Sequence, residues 1–286
     1  MFDRLRDLFT GGFGARAGSG SAGRQPGDPA EHAPDTRGPD SDAAVLSGWT
    51  TEEQDGRRVD VFVPDAARPL TGAVLFLHGH GQVMLSQNPV FSRLFRQHQL
   101  AVVCPDGRRS WWLDVRCEEF DSSATPQQWL LESIIPLIER RFRLTPPRIA
   151  LLGVSMGGQG VLQLAYRHAS LFPVVAAISP AVDFHHLYGA GLPLDQMFPD
   201  GEAARQATVV LKLHPLAWPR HQYFCCDPAD RDWFDGCARL GMKLASSGIM
   251  HERDLETSHG GHSWDYFNHM ADRVVRHIAT GLTAVG

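Results

Sequence analysis

Lysine is almost missing from this chain: Lys212 and Lys243 are the two present in 286 residues, and the rest of the positive charge is arginine. That bias reads as the mark of a G+C-rich genome and carries little functional information. Even with arginine counted, Lys+Arg 27 against Asp+Glu 32 leaves a formal net charge of −5, which argues against a protein that works on nucleic acid through a basic field. No apolar run approaches the roughly 18 residues a membrane helix needs, and the N-terminus has no apolar stretch followed by a small-residue cleavage site, so the cytoplasm is the expected compartment. Cysteine is also scarce. Cys104, Cys117, Cys225, Cys226 and Cys237 are an odd number in a chain large enough to hold together without staples, so a disulfide framework is not expected. Cys225 and Cys226 alternate faces within a predicted strand and read as packed thiols. No G-x-x-x-x-G-K-[ST] loop is present to cradle phosphates, no H-E-x-x-H to hold zinc, and no repeat of about 20 to 50 residues.

Hydrophobic residues make up 43% of the composition, enough for a sizeable core. They are unevenly placed. Residues 1–45 crowd seven glycines between Gly11 and Gly27 together with Pro26, Pro29, Pro34 and Pro39, and such a segment is expected to be a disordered tail, since burial cannot offset its ordering entropy. From residue 46 to 286 the pattern changes to short apolar runs separated by amphipathic stretches. Strands are predicted at 59–63, 72–77, 100–104, 148–154, 174–178, 221–226 and 249–255. Helices are predicted at 89–98, 125–142, 157–169, 234–247 and 264–280, the second opened by Thr125 with Pro126 at its first position. Strands alternating with helices imply one α/β domain with a mostly parallel sheet and helices on both faces. The segment from Phe184 to Arg220 breaks the rhythm with Pro193, Pro199, Pro215 and Pro219, and reads as an excursion over one edge of the sheet that helps to shape a pocket.

Gly153-Val154-Ser155-Met156-Gly157-Gly158 lies where a predicted buried strand turns into a predicted helix. This is the context in which G-x-S-x-G forms a nucleophile elbow. A sharp bend there strains the serine backbone and lifts its hydroxyl above the sheet, with small residues two positions to either side leaving room. The amide of Met156, at the helix start, then points at the place where a carbonyl oxygen would become negative. The alternative is a glycine-rich turn used only for packing, which the IALLGV run before it and the helix after it disfavour.

With Leu77-His78-Gly79-His80-Gly81 after one strand, the serine motif after another, and Gly260-Gly261-His262-Ser263-Trp264 near the end, the chain from about Gly72 onward resembles the α/β-hydrolase superfamily. Within it the likeness is to the esterase D and S-formylglutathione hydrolase-like esterases, a branch that also includes mycolyltransferase-like proteins. The chain order of that fold puts the histidine last, after serine and then an acid. His262 sits in a glycine-rich turn just before the last helix and is the expected base, with His259 an alternative. The acid is expected after the strand at 221–226, where Asp227, Asp230 and Asp232 compete. Asp230 resembles the usual family placement, Asp232 fits a variant spacing two residues before an aromatic, and Asp227 also suits a turn before Pro228. The resemblance implies a second oxyanion donor just beyond His78-Gly79, from the backbone of His80 or Gly81. Trp111 and Trp112 follow a strand on the same end of the sheet, where they either wall an acyl or alcohol pocket or pack in the core.

These residues together imply a serine esterase that cleaves a small-molecule carboxylic ester or thioester through an acyl-serine, with Ser155 as nucleophile, His262 as base and Asp230 holding the imidazole. That chemistry needs no metal or organic cofactor. Rival readings are an acyltransferase using the same acyl-enzyme, a non-catalytic binding protein on a hydrolase fold, and a metal hydrolase with a nitrogen-rich site made together by His78 and His80, His185 and His186, and His259 and His262. Because the base must be neutral to accept a proton, kcat/KM is expected to fall on acidification. A profile that stays flat from about pH 5 to 8 in a chemistry-limited assay would remove histidine from the base role.

Overall fold

The computed structural model describes residues 44–65 and 67–285; the expectation of a disordered tail falls almost entirely outside them. Among the described residues one sheet of eight strands runs through the molecule. β1 (Trp49–Gln54) and β2 (Arg57–Phe62) form an antiparallel hairpin at one edge. β3 (Gly72–Leu77), β4 (Leu100–Pro105), β5 (Ile149–Val154), β6 (Val174–Ile178), β7 (His221–Cys225) and β8 (Glu252–Asp254) are parallel to one another. The spatial order is β1-β2-β4-β3-β5-β6-β7-β8. β3 to β6 are buried at every position, which is why their sequences are unbroken apolar runs and not alternating ones.

Helices cover both faces. α1 (Pro89–Gln97) and α5 (Trp264–Val285) bury Phe91, Phe95, Val274 and Ile278 against one face, together with Val74, Phe76 and Val102 of the strands. α3 (Met156–Arg167) and α4 (Phe234–Ser246) lie on the other with α2, which runs Pro126–Trp129, widens by one residue per turn over Leu130–Ile134 and continues as Ile135–Phe142. The widening is what Pro136 requires, since it has no N–H to give the preceding turn. Thr125 caps α2 by a reciprocal pair of bonds with Gln128, a direct consequence of the T-x-x-Q spacing.

The mostly parallel α/β sheet with helices on both faces is therefore as the sequence implies. Two elements differ. β1, reading WTTEEQ, is an edge strand with no fully buried position, so it carries no apolar run to betray it. The strand expected at 249–255 shortens to Glu252–Asp254 because Ile249 is spent closing α4, its N–H bonding to the Leu244 carbonyl at 2.9 Å. The segment from 184 to 220 holds only short helical turns and is pinned to α3 by Gln163, whose amide donates to the Ala207 carbonyl at 2.6 Å. No helix among the described residues is long and apolar enough to cross a membrane.

Ile278 is fully buried in the face that α5 covers. Ile278→Ala is expected to lower stability by about 3 kcal/mol in urea denaturation, through lost transfer energy and the cavity left behind; a change under about 1 kcal/mol would mean that α5 is not a pillar of the core.

Candidate active site

β3 and β5 are neighbours, yet β3 leads to α1 on one face and β5 to α3 on the other. The connections from their carboxyl ends therefore run to opposite faces, and in open α/β sheets such a switch point is where the ligand crevice lies. Ser155 stands at the β5 side of it. Its backbone has φ 55° and ψ −120°, a conformation costly for any residue with a Cβ. The bend is forced from both sides by close backbone approach: a Cβ at Gly157 would meet the Leu77 carbonyl oxygen at 1.9 Å, and one at Gly153 would meet the Gly157 carbonyl oxygen at 2.2 Å. Three bonds fix the strained residue. Ser155 N–H donates to the Ile178 carbonyl at 2.9 Å, and its own carbonyl accepts from Gln159 N–H at 3.1 Å and Ala181 N–H at 3.0 Å.

The loop after β3 faces the same serine. A Cβ on Gly79 would sit 3.3 Å from the Ser155 Cβ, and a turn closed by Gln82 N–H on the Gly79 carbonyl at 2.9 Å holds His80 and Gly81 as its central residues. His78 is committed beneath this turn. Its Nδ1–H donates to the Gly79 carbonyl at 2.8 Å and its Nε2 accepts from Gly107 N–H at 3.1 Å, which fixes a neutral tautomer. The Trp112 indole N–H donates to the His78 carbonyl at 3.0 Å, and Trp111 packs against His80 and Phe184 with ring centroids 5.8 and 5.5 Å away. At 1% and 0% exposure, Trp111 and Trp112 buttress the loop from behind and present almost no surface as pocket walls. Burial, aided by the Arg109 guanidinium, pushes His80 down to about 4, so its ring is uncharged at neutral pH.

His262 arrives from the far end of the chain. Gly260 and Gly261, at φ +89° and +69°, turn the backbone in a way open to few other residues, and the ring then bridges two elements. Its Nε2 lies 2.9 Å from Ser155 Oγ and its Nδ1 lies 2.7 Å from Asp230 Oδ2. Phe267 meets the ring edge-on at 5.4 Å, with Trp233 at 6.4 Å. The Asp230 side chain is fully buried while that of His262 is 13% exposed, so the row of groups runs from the interior out toward the crevice.

Of the three aspartates after β7, the geometry sorts each to a different place. Asp230 meets His262. Asp232 is exposed and donates its backbone N–H to Asp230 at 3.2 Å. Asp227 initiates the turn, accepting Ala229 N–H at 2.7 Å, and has a further task with no signature in the chain's pattern: it clamps the histidine loop. It accepts the Ser258 hydroxyl at 2.7 Å, His259 N–H at 2.6 Å and Gly261 N–H at 2.8 Å. Burial tends to raise its pKa, but the bonds from Ala229, His259, Ser258 and Gly261 outweigh it and hold the carboxyl below its ordinary value. His259 itself turns outward, its ring stacked on His269 at 4.3 Å. Gln159 was also missed; its amide donates to the Trp111 carbonyl and so ties α3 to the indole loop. A glutamine pair four apart, Gln159 and Gln163, on a helix buried along nearly its whole length is the signal that could have found it. Among the described residues no group of three or more His, Cys, Asp or Glu side chains is placed to hold a metal ion.

The crevice, the strained serine turn and the sheet order define an α/β-hydrolase. The chain belongs to the esterase family described as "Putative esterase", which matches residues 51–277, and with that family it is a serine-type hydrolase of carboxylic esters. Among solved structures it is similar to an S-formylglutathione hydrolase from Agrobacterium tumefaciens (19% identity, 82% of this chain and 94% of that one, TM-score 0.65). It is also similar to a ferulic acid esterase (16% identity, 80% and 97%, TM-score 0.62) and to the capsule O-acetyltransferase of Neisseria meningitidis serogroup A (16% identity, 82% and 95%, TM-score 0.58). At such identities the likeness is one of fold. Among curated proteins no relative matches the chain.

Asp227→Asn puts an amide where the carboxylate accepts three N–H groups and a hydroxyl, leaves at least one of those donors facing an NH2 group, and is expected to cost about 2 kcal/mol at neutral pH. The depressed folded-state pKa makes the carboxylate's contribution complete above its unfolded value of ~3.9 and progressively lost below it. The stability gap between wild type and Asp227→Asn should therefore hold constant above about pH 5 and close below about pH 4, as followed by urea denaturation; a gap that persists unchanged to about pH 3 would show that the charge is not what holds the loop.

Proposed function

We propose that Ser155, His262 and Asp230 are the catalytic triad of this esterase and that it cleaves a carboxylic ester or thioester through an acyl-serine intermediate. The observation that carries the proposal is the single imidazole held at hydrogen-bond distance from both a serine hydroxyl and a buried carboxylate, at 2.9 and 2.7 Å. A carboxylate can only accept, so Nδ1 carries the proton and Nε2 is left as the base. Ser155 Oγ attacks the carbonyl carbon as its proton passes to Nε2, and Asp230 stabilises the imidazolium so formed. The oxyanion is received by the amide of Met156 and by that of His80 or Gly81, with the dipole of α3 adding to the field; one such donor is worth about 3 kcal/mol in the transition state. Collapse breaks the bond to the alkoxide or thiolate, which takes the proton from Nε2. A water then repeats the sequence on the acyl group, returning the proton to Ser155 and releasing the acid.

A second reading, transfer of the acyl group to an alcohol other than water, draws support from the likeness to the capsule O-acetyltransferase, and analysis of products formed with competing alcohols separates the two. The five cysteines are all free and buried, which favours a reducing compartment such as the cytoplasm.

A fluorophosphonate probe is expected to modify Ser155, identified by mass spectrometry. Ser155→Ala is expected to abolish labelling and to reduce p-nitrophenyl acetate turnover by about 10⁴-fold or more while the protein stays folded. Modification of another serine, or turnover near that of wild type, would overturn the assignment.

A further inference from the structure

The bonding of the Asp230 carboxylate can be accounted for oxygen by oxygen. Oδ1 accepts the N–H groups of Asp232 at 3.2 Å and Trp233 at 3.1 Å. Oδ2 accepts His262 Nδ1–H at 2.7 Å, and the sulfur of Cys226 lies 3.5 Å from the same oxygen. That separation suits an S–H donor, because sulfur is larger than oxygen or nitrogen. Cys226 follows directly on β7 and is fully buried, so no water takes its place. The Asp227 carbonyl is a poorer acceptor for this thiol at 3.9 Å.

From this geometry we infer that Cys226 is a positioning residue for the esterase reaction: its thiol donates to Asp230 Oδ2 and thereby sets both the place of that oxygen and its pull on the His262 ring. The inference rests on the triad reading above. Cys226 is not interchangeable with its neighbour Cys225, which points to the opposite face of the sheet among Tyr223 and Tyr266. The other titratable groups about the carboxylate are His262 from the loop before α5, Cys237 of α4, Asp227 on the same turn and, beyond Cys237, Asp183 after β6. Cys237 directs its own S–H to the Pro180 carbonyl at 3.5 Å and leaves Oδ2 to Cys226. A hydrogen bond with Cys237, burial and the charges of Cys237 and Asp230 push the Cys226 thiol far above its ordinary value, outweighing the Ser179 hydroxyl that also reaches it. It therefore stays protonated, a donor at every working pH and a poor target for oxidants, which act on thiolates.

The sign of the effect follows from the charge on Oδ2. A donor there draws off part of that charge; removing it strengthens the attraction between the carboxylate and a protonated His262. Cys226→Ala should move the acid-limb midpoint of kcat/KM for p-nitrophenyl acetate upward by about half a pH unit, and Cys226→Ser, whose hydroxyl can donate in the same direction, should restore the wild-type midpoint. Loss of packing alone would lower thermal stability without moving the profile. An Ala profile that superimposes on wild type, or a Ser variant that shifts together with Ala, overturns the inference. If neither variant folds, the thiol-proton resonance of Cys226, assigned residue by residue in cysteine-labelled wild-type protein, decides it: a hydrogen-bonded shift is expected, and a free-thiol shift overturns it. Fluorophosphonate labelling of Ser155 keeps the two failures apart, since an unmoved profile in protein that still labels there counts against Cys226 alone.

Discussion

The site depends on one steric constraint, the approach of the first turn of α3 to the end of β3. Gly157 lies so close to the Leu77 and His78 carbonyls that a Cβ would fall within 2.6 Å of their oxygens, and this contact sets the strand that leads to Ser155 and the loop at His78 to Gly81 at a fixed separation. Everything the crevice presents is measured from there. Ser155 is raised because α3 must start where the backbone can pass, and Gly79 falls beside the serine because β3 ends where α3 begins. The strain at Ser155, of order 1–3 kcal/mol, is sustained by fully buried strands on either side and by the bonds to Ile178, Gln159 and Ala181.

A second layer of organisation is the division of labour among acidic groups that the chain places within a few residues of one another. Asp227 and Asp230 are both buried, and both accept several bonds, but from different directions. Asp227 faces the backbone of the loop and carries no ring; Asp230 faces the ring and carries little of the loop. Separating the two tasks lets the loop be rigid while the carboxylate that meets the imidazole keeps its own surroundings. The thiol of Cys226 belongs to the second environment, as does the backbone of Asp232 and Trp233.

What was legible in the sequence tracks what is periodic or local. Buried parallel strands announce themselves because both faces must be apolar, and the G-x-S-x-G turn does so because close backbone approach admits only glycine at two positions. The edge strand Trp49–Gln54 was illegible because it buries no full face. The choice among Asp227, Asp230 and Asp232 stayed open for a different reason: all three suit a turn, and which carboxylate reaches His262 depends on side-chain direction across a gap of 32 residues. The same holds for Trp111 and Trp112, whose size predicts burial but not what they bury against. The clamp from Asp227 to Ser258, His259 and Gly261 was invisible because it joins two loops with no shared pattern.

The supports of the crevice also bear on substrate choice. α3 carries the elbow at its N-terminus and, one and two turns later, Gln159 and Gln163, which hold the indole loop and the segment at 184–220 by their backbone carbonyls. The positions of those two loops are thus referred to the same helix that sets Ser155. Bonds made to carbonyl oxygens are indifferent to the side chains those loops carry. The lining of the crevice can therefore vary in sequence, and with it the acyl or alcohol group accommodated, while the distance from Ser155 to its supports stays fixed. Such an arrangement separates specificity from catalysis, and it gives a physical reason why one fold can serve different acyl and alcohol groups.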